Sequence, residues 1–319
     1  MATDESGADE VAIDAPTYFR IFKSGRIERL HLPPALPAGL DEATGVSSKD
    51  VVLDSSTGLT VRVYLPKLPD PSKKKKLPVL VYIHGGGFVI ESAFSSSYHN
   101  YLNLLAATAG VIVASVEYRL APEHPLPAAY EDCWAALRWA ASAQDEWIAE
   151  HGDVARLFVA GDSAGGNATH DMLVRASGNG DDGPTSIEGA ILFHPWFGGS
   201  TLIDGEEESS WEFNARFWAF VCPGAVGGSD DPRVNPVAPG APPMEKQLGC
   251  KRMLVCAATE DKLFARERAY YDAVAASAWP GTVDWFESDG EEHVFFLNKP
   301  ECDKAKQLMD RVVAFIAGA

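Results

Sequence analysis

The sequence has no unbroken apolar run approaching the roughly 18 residues of a membrane-crossing helix, and it is short of positive charge. Lys and Arg total 27 against 45 Asp and Glu, a formal net charge of -18. Such an acidic surface opposes binding to a phosphate backbone or to an anionic bilayer. Neither nucleic acid nor membrane is expected as a partner. Cysteine is scarce: Cys133, Cys222, Cys250, Cys256 and Cys302 form an odd set without a C-x-x-C. Reduced thiols in a cytoplasmic protein are expected, not a disulfide frame. His84, His99, His124 and His151 lack H-E-x-x-H spacing, so no metal is expected. A Walker-type loop and a G-x-G-x-x-G are both absent, and no cofactor is expected. The acidic start Met1-Ala2-Thr3-Asp4-Glu5-Ser6 reads as neither a secretory signal nor a transit peptide. The single basic block, Lys73 to Lys76 between Pro71 and Pro78, reads as a solvated loop.

What is present is a large apolar fraction in alternating short runs. Of 319 residues, 46% are apolar and 10% aromatic, enough for one sizeable core. A hairpin is expected from strands at 50–54 and 60–65 around Ser55-Ser56-Thr57-Gly58. Strands and helices then alternate: strands at 78–83, 111–116, 156–160, 187–193, 252–257 and 281–286, with helices near 97–109, 127–143, 164–176, 264–277 and 301–317. Continuous β-branched and aliphatic strands suit a sheet covered on both faces. The expectation is a single α/β domain with a mostly parallel, eight-stranded sheet. Residues 1–45 would form an N-terminal cap and residues 46–319 the catalytic domain, with an aromatic, acidic insertion near 198–225 completing the cap.

The chemistry sits at strand ends. Gly161-Asp162-Ser163-Ala164-Gly165 lies between an apolar strand and a helix, the setting of a nucleophile elbow with Ser163 at its tip. His84-Gly85-Gly86-Gly87-Phe88 follows an earlier strand. Its glycines let backbone N–H groups reach a substrate oxygen, and Gly86, Gly87 and Ala164 are the expected oxyanion donors. A phosphate cradle would need a Lys-Ser/Thr behind the glycines. The strand at 252–257 ends at Glu260-Asp261, and spacing alone leaves both carboxylates open as the group that orients the base. His293 follows the last strand and precedes the last helix, where a general base belongs. His84 is expected to bond nearby backbone. Tyr118, Arg119, Glu123 and Asp132 are expected to form one buried polar network.

These residues resemble the hormone-sensitive-lipase-like branch of the α/β-hydrolases. The resemblance rests on His84 to Phe88, Val116 to Asp132 and Gly161 to Asn167, with Asp261-Lys262-Leu263 and Glu292 to Phe295. Phe19 to Leu30 is similar to the opening of plant carboxylesterases within that branch, so the likeness spans nearly the whole chain. It implies an α/β-hydrolase fold, and the branch's D-x-L pattern points to Asp261 over Glu260. Gibberellin receptors in the branch lack the triad histidine, whereas His293 is present here. Hydroxyisoflavanone dehydratases and intramolecular transesterases share the scaffold, and legume dehydratases often carry threonine at the nucleophile position.

The expected activity is therefore hydrolysis of small carboxylic esters by Ser163, His293 and Asp261, through an acyl-enzyme. The alternatives are a non-hydrolytic small-molecule receptor and a dehydratase-type lyase. Phe22, Phe88, Trp196, Phe213 and Trp218 are expected to line the substrate pocket.

Overall fold

The computed structural model describes residues 10–68, 76–179 and 185–318. Lys73 to Lys75 and the first six residues, both interpreted above, lie outside the described residues.

The chain opens with a small antiparallel sheet of β1 (Val11–Ala15), β2 (Phe19–Phe22) and β3 (Ile27–Arg29). The main sheet contains β4 (Leu40–Asp41), β5 (Val46–Asp54), β6 (Leu59–Leu65), β7 (Leu77–Ile83), β8 (Ile112–Glu117), β9 (Gly152–Asp162), β10 (Ile187–Phe193), β11 (Cys250–Ala258) and β12 (Thr282–Ser288). Its order is β12-β11-β10-β9-β7-β8-β6-β5-β4. From β8 to β12 every pairing is parallel; β6 joins β8 antiparallel, and β5 and β4 continue that way. The sheet thus has nine strands where eight were expected. The ninth, β4, is two residues long and carries no apolar run, so it left no readable pattern. It also places Leu40 and Asp41 in the main sheet. The three short N-terminal strands were likewise unread, because their apolar residues are interleaved with charges.

Eight helices follow in order: α1 (Ser96–Ala109), α2 (Ala128–Ala141), α3 (Glu146–His151), α4 (Ala164–Val174), α5 (Glu208–Val221), α6 (Phe264–Ala276), α7 (Phe295–Asn298) and α8 (Asp303–Ala317). The strand β7 shows why both faces are covered. Val79, Val81 and Ile83 enter one core with residues of α2 and α4, while Leu80 and Tyr82 enter a second core with residues of α1 and α8. Period-2 alternation places successive side chains on opposite faces, and here both faces are apolar. Among the described residues no helix is long and apolar enough to cross a membrane.

Candidate active site

Four neighbouring strands deliver the site to one edge of the sheet. Asp162 ends β9 and pairs in register with Phe193 at the end of β10. Ser163 follows Asp162, and its N–H donates to the Phe193 carbonyl at 2.9 Å. His194 follows Phe193 and donates its own N–H to Cys256 of β11. Asp261 lies just past β11, and His293 just past β12. Residues distant in sequence converge because parallel strands all end on the same side.

The turn holding Ser163 is possible only with small neighbours. A Cβ on Gly165 would stand 2.0 Å from the Ile83 carbonyl oxygen, and one on Gly161 2.3 Å from that of Gly165. Ser163 itself adopts φ 54° and ψ -116°, a region that L-residues avoid. His194 at φ 44° and Val294 at φ 46° share the left-handed region. Strained backbone concentrated in this way is characteristic of functional sites.

The imidazole of His293 points Nδ1 at Asp261 Oδ2, 2.5 Å away. The Asp261 side chain is 2% exposed and that of His293 35%. The other Asp261 oxygen, Oδ1, accepts the Leu263 N–H at 2.9 Å. Burial pushes the Asp261 carboxyl up, but the His293 charge and hydrogen bond, with His194 and the Leu263 N–H, hold it below its ordinary range. For His293, burial pulls the other way; the charge and hydrogen bond of Asp261, and the charge of Asp162, outweigh it and raise the pKa. The Ser163 hydroxyl makes no hydrogen bond to His293 among the described residues. Catalytic bonds of this type commonly lengthen without substrate.

His194 was not anticipated from the sequence. Its ring centroid is 5.8 Å from that of His293, and its Nδ1 accepts the Val294 N–H at 2.8 Å. Burial pushes its pKa down to about 3, so the ring is neutral with its proton on Nε2. His194, Asp261 and His293 bring one ligand atom each within 4.8 Å of one another. Their hydrogen bonds oppose metal ligation: His194 Nδ1 is taken by Val294, and Asp261 Oδ2 by His293.

The glycine loop after β7 lies against the elbow. The N–H groups of Gly86, Gly87 and Ala164 donate to no protein acceptor among the described residues, which leaves them free for a substrate oxygen. Ala164 adds the N-terminus of α4, where the helix dipole favours negative charge. The loop is fixed by a buried relay. The Gly85 N–H donates to Tyr98 Oη at 2.9 Å, Tyr98 Oη donates to Asp162 Oδ2 at 2.8 Å, and Tyr82 Oη donates to Asp162 Oδ1 at 2.9 Å. Burial raises the Asp162 pKa to about 6, against the pull of both tyrosines. Tyr98→Phe would leave a buried N–H and a carboxylate oxygen short of a partner. The expected cost is about 1–3 kcal/mol in urea unfolding, with kcat/KM lowered roughly tenfold as the loop loosens. Unchanged kinetics in the variant would remove the relay from the site.

His84 bonds the Gly85 carbonyl through Nδ1 at 2.9 Å and stacks on Tyr118 at 4.1 Å. The single network expected from Tyr118, Arg119, Glu123 and Asp132 resolves into three. Tyr118 Oη donates to the His84 and Gly85 carbonyls, Arg119 forms a two-pronged pair with Asp132, and the exposed Glu123 pairs with Arg29 of β3. The residues face different ways because Tyr118, Arg119 and Glu123 lie in the irregular loop after β8 while Asp132 lies in α2.

The five expected pocket residues separate. Trp196 lies 6.2 Å from Phe88 and 5.9 Å from Trp218, centroid to centroid. Phe88 is 0% exposed, Trp218 1% and Trp196 4%, so all three rings are packed in the core. Trp218 further donates Nε1–H to the Gly228 carbonyl. Phe22 lies apart, under the Arg26 guanidinium at 3.7 Å. Phe213, half-buried, stacks on Phe217 at 5.6 Å. Phe217 of α5 is the pivot of the cluster. It stacks on Phe19 at 5.2 Å and meets Trp196 at 5.3 Å, and a Cβ on Gly87 (φ +61°) would be 2.8 Å from its ring.

A sequence profile for proteins of the alpha/beta hydrolase fold matches residues 80–297, and the chain belongs to that family. It is 46% identical over 316 residues to a tuliposide A-converting enzyme (b1, amyloplastic) of Tulipa gesneriana, covering 97% of this chain and 81% of that one. A 2-hydroxyisoflavanone dehydratase of Glycyrrhiza echinata is 42% identical, with 99% of each chain covered. A probable carboxylesterase of Arabidopsis thaliana is 39% identical, with 98% of each covered. Among solved structures, a thermostable carboxylesterase cloned from a metagenomic library superposes with a TM-score of 0.67 at 26% identity, covering 88% of this chain and 90% of that one.

Proposed function

We propose that the chain is a serine carboxylesterase in which Ser163 attacks a small carboxylic ester, His293 acts as base and then acid, and Asp261 orients His293. The observation that carries this reading is the 2.5 Å contact of His293 Nδ1 with the buried Asp261, at the same end of the sheet as the elbow that presents Ser163 and two strands from it. Asp261 fixes the proton on Nδ1, leaving Nε2 to take the serine proton as the tetrahedral intermediate forms. Gly86, Gly87 and Ala164 would hold the oxyanion. His293 then protonates the departing alcohol and activates water against the acyl-enzyme. Of the expected pocket residues, Phe213 and Trp196, joined by Phe217, are the ones this reading keeps as the apolar wall for the substrate. Residues 1–45 and the α5 region would serve as the cap, Phe19 against Phe217 being the contact that supports it. A cytoplasmic setting fits the unpaired state of all five thiols; the plastid location belongs to the tulip enzyme's own name.

The upward shift of His293 sets a pH dependence. The base must be neutral, so kcat/KM falls as pH drops through the His293 pKa and rises to a plateau above it. The inflection is expected above the ordinary imidazole value of about 6.5, read with p-nitrophenyl acetate. An inflection below that value would mean that Asp261 does not govern the base.

A dehydratase activity is the second reading, favoured by the relative at 42% identity. His293 would then remove a proton from a β-hydroxyketone while the oxyanion donors hold the enolate. Product analysis decides: loss of water without ester cleavage would favour the lyase. A receptor without turnover would fail to label at Ser163 with a fluorophosphonate.

A further inference from the structure

Glu267 is 0% exposed, and neither carboxyl oxygen receives a hydrogen bond from any donor among the described residues. An ionised carboxylate buried without a donor is among the costliest arrangements a fold can hold. The first turn of α6 explains how it arises. The Leu263 N–H caps Asp261 Oδ1, and the Phe264 N–H bonds the Asp261 carbonyl. The Glu267 N–H bonds the Leu263 carbonyl, and the Glu267 carboxyl comes within hydrogen-bonding reach of the Asp261 carboxyl. Two ionised acids at that separation would repel; one proton between them turns the contact into a bond.

We propose that Glu267 stays protonated and donates a hydrogen bond to the Asp261 carboxylate, acting as a positioning residue behind the Asp261–His293 pair.

The charges around it agree on where the proton sits. Asp261 faces the two imidazoles of the site: it accepts from His293 Nδ1 and lies 3.9 Å from the His194 ring. Glu267 faces Asp261 and, from β11, the buried Cys256. Its sequence neighbour Arg266 is turned away and committed to Glu206 and to the Gly198 and Thr201 carbonyls. Burial and the Asp261 charge push the Glu267 carboxyl well above its usual range, while Asp261 is held low. Asp261 thus gains a second anchor beside the Leu263 N–H, and part of its charge is drawn away from His293. The base is held in place without becoming too strongly protonated.

The inference rests on the proposed roles of Asp261 and His293, so the test separates the two. Glu267→Gln keeps a neutral donor of the same shape; Glu267→Leu removes the donor. With p-nitrophenyl acetate, the acidic inflection of kcat/KM should stay in place in E267Q. In E267L it should rise by roughly half a unit, because Asp261 regains its full charge beside His293. The E267L variant should also lose roughly threefold to tenfold in kcat, the worth of one hydrogen bond, with KM little changed. Infrared spectra of the whole protein should show a protonated-carboxyl band in the wild type that is missing in E267Q, whatever the activity. An inflection that drops in E267Q would mean an ionised Glu267 and overturn the proposal. So would an unmoved inflection in E267L, or a wild type without that band. Ester hydrolysis that survives Ser163→Ala would instead sink the proposed Ser163–His293–Asp261 mechanism and leave the infrared result standing.

Discussion

Ser163→Ala is expected to lower kcat for p-nitrophenyl acetate by roughly ten-thousand-fold or more. What remains is the modest acceleration from the oxyanion donors and from binding. Loss of the hydroxyl removes the atom proposed to form the acyl-enzyme, and the glycine loop is untouched. Folding should barely respond. Among the described residues the hydroxyl has no protein hydrogen bond to lose, and alanine inherits the same backbone conformation, so the unfolding midpoint should move by less than about 2 °C. Fluorophosphonate labelling should vanish in parallel. If the alanine variant kept a tenth of wild-type turnover, the nucleophile would have to be sought elsewhere.

Asp261→Asn is the second large effect. The Leu263 N–H needs an acceptor, and the amide oxygen of asparagine would supply it at the position of Oδ1. That choice aims the NH2 at His293 Nδ1, where two donors would meet. The imidazole escapes by moving its proton to Nε2, the nitrogen that must instead accept from Ser163. Turnover is then expected to fall by roughly ten-thousand-fold, while KM changes little. The acidic inflection should also shift down, since the charge that raised the His293 pKa is gone. A loss of under tenfold would show that Asp261 is structural and that His293 is oriented by another group.

How much of this could be read beforehand divides along a physical line. Ser163, Gly86 and Gly87 announce themselves because a strand-to-helix elbow and a close backbone approach tolerate few residue types, a constraint written within five positions. Asp261 and His293 follow once strand order is known, since parallel strands gather their ends. His194 and Glu267 gave no such sign. Glu267 sits in Phe264-Ala265-Arg266-Glu267-Arg268, which reads as an ordinary polar helix start; only the fold of that turn onto Asp261 buries it. The scattering of Tyr118, Arg119 and Glu123 away from Asp132 of α2 reflects an irregular segment, where no period ties neighbours to a common face.

The contact between Gly87 and Phe217 has a practical corollary for anyone wishing to broaden substrate range. Trimming the ring on α5 would seem the natural way to admit bulkier acyl groups. The same ring is the wall on which the loop proposed to hold the oxyanion leans, so on that reading selectivity and rate are geared together. Enlarging the chamber there should slacken the loop as well, and a successful redesign would have to widen the site from the Phe213 side instead.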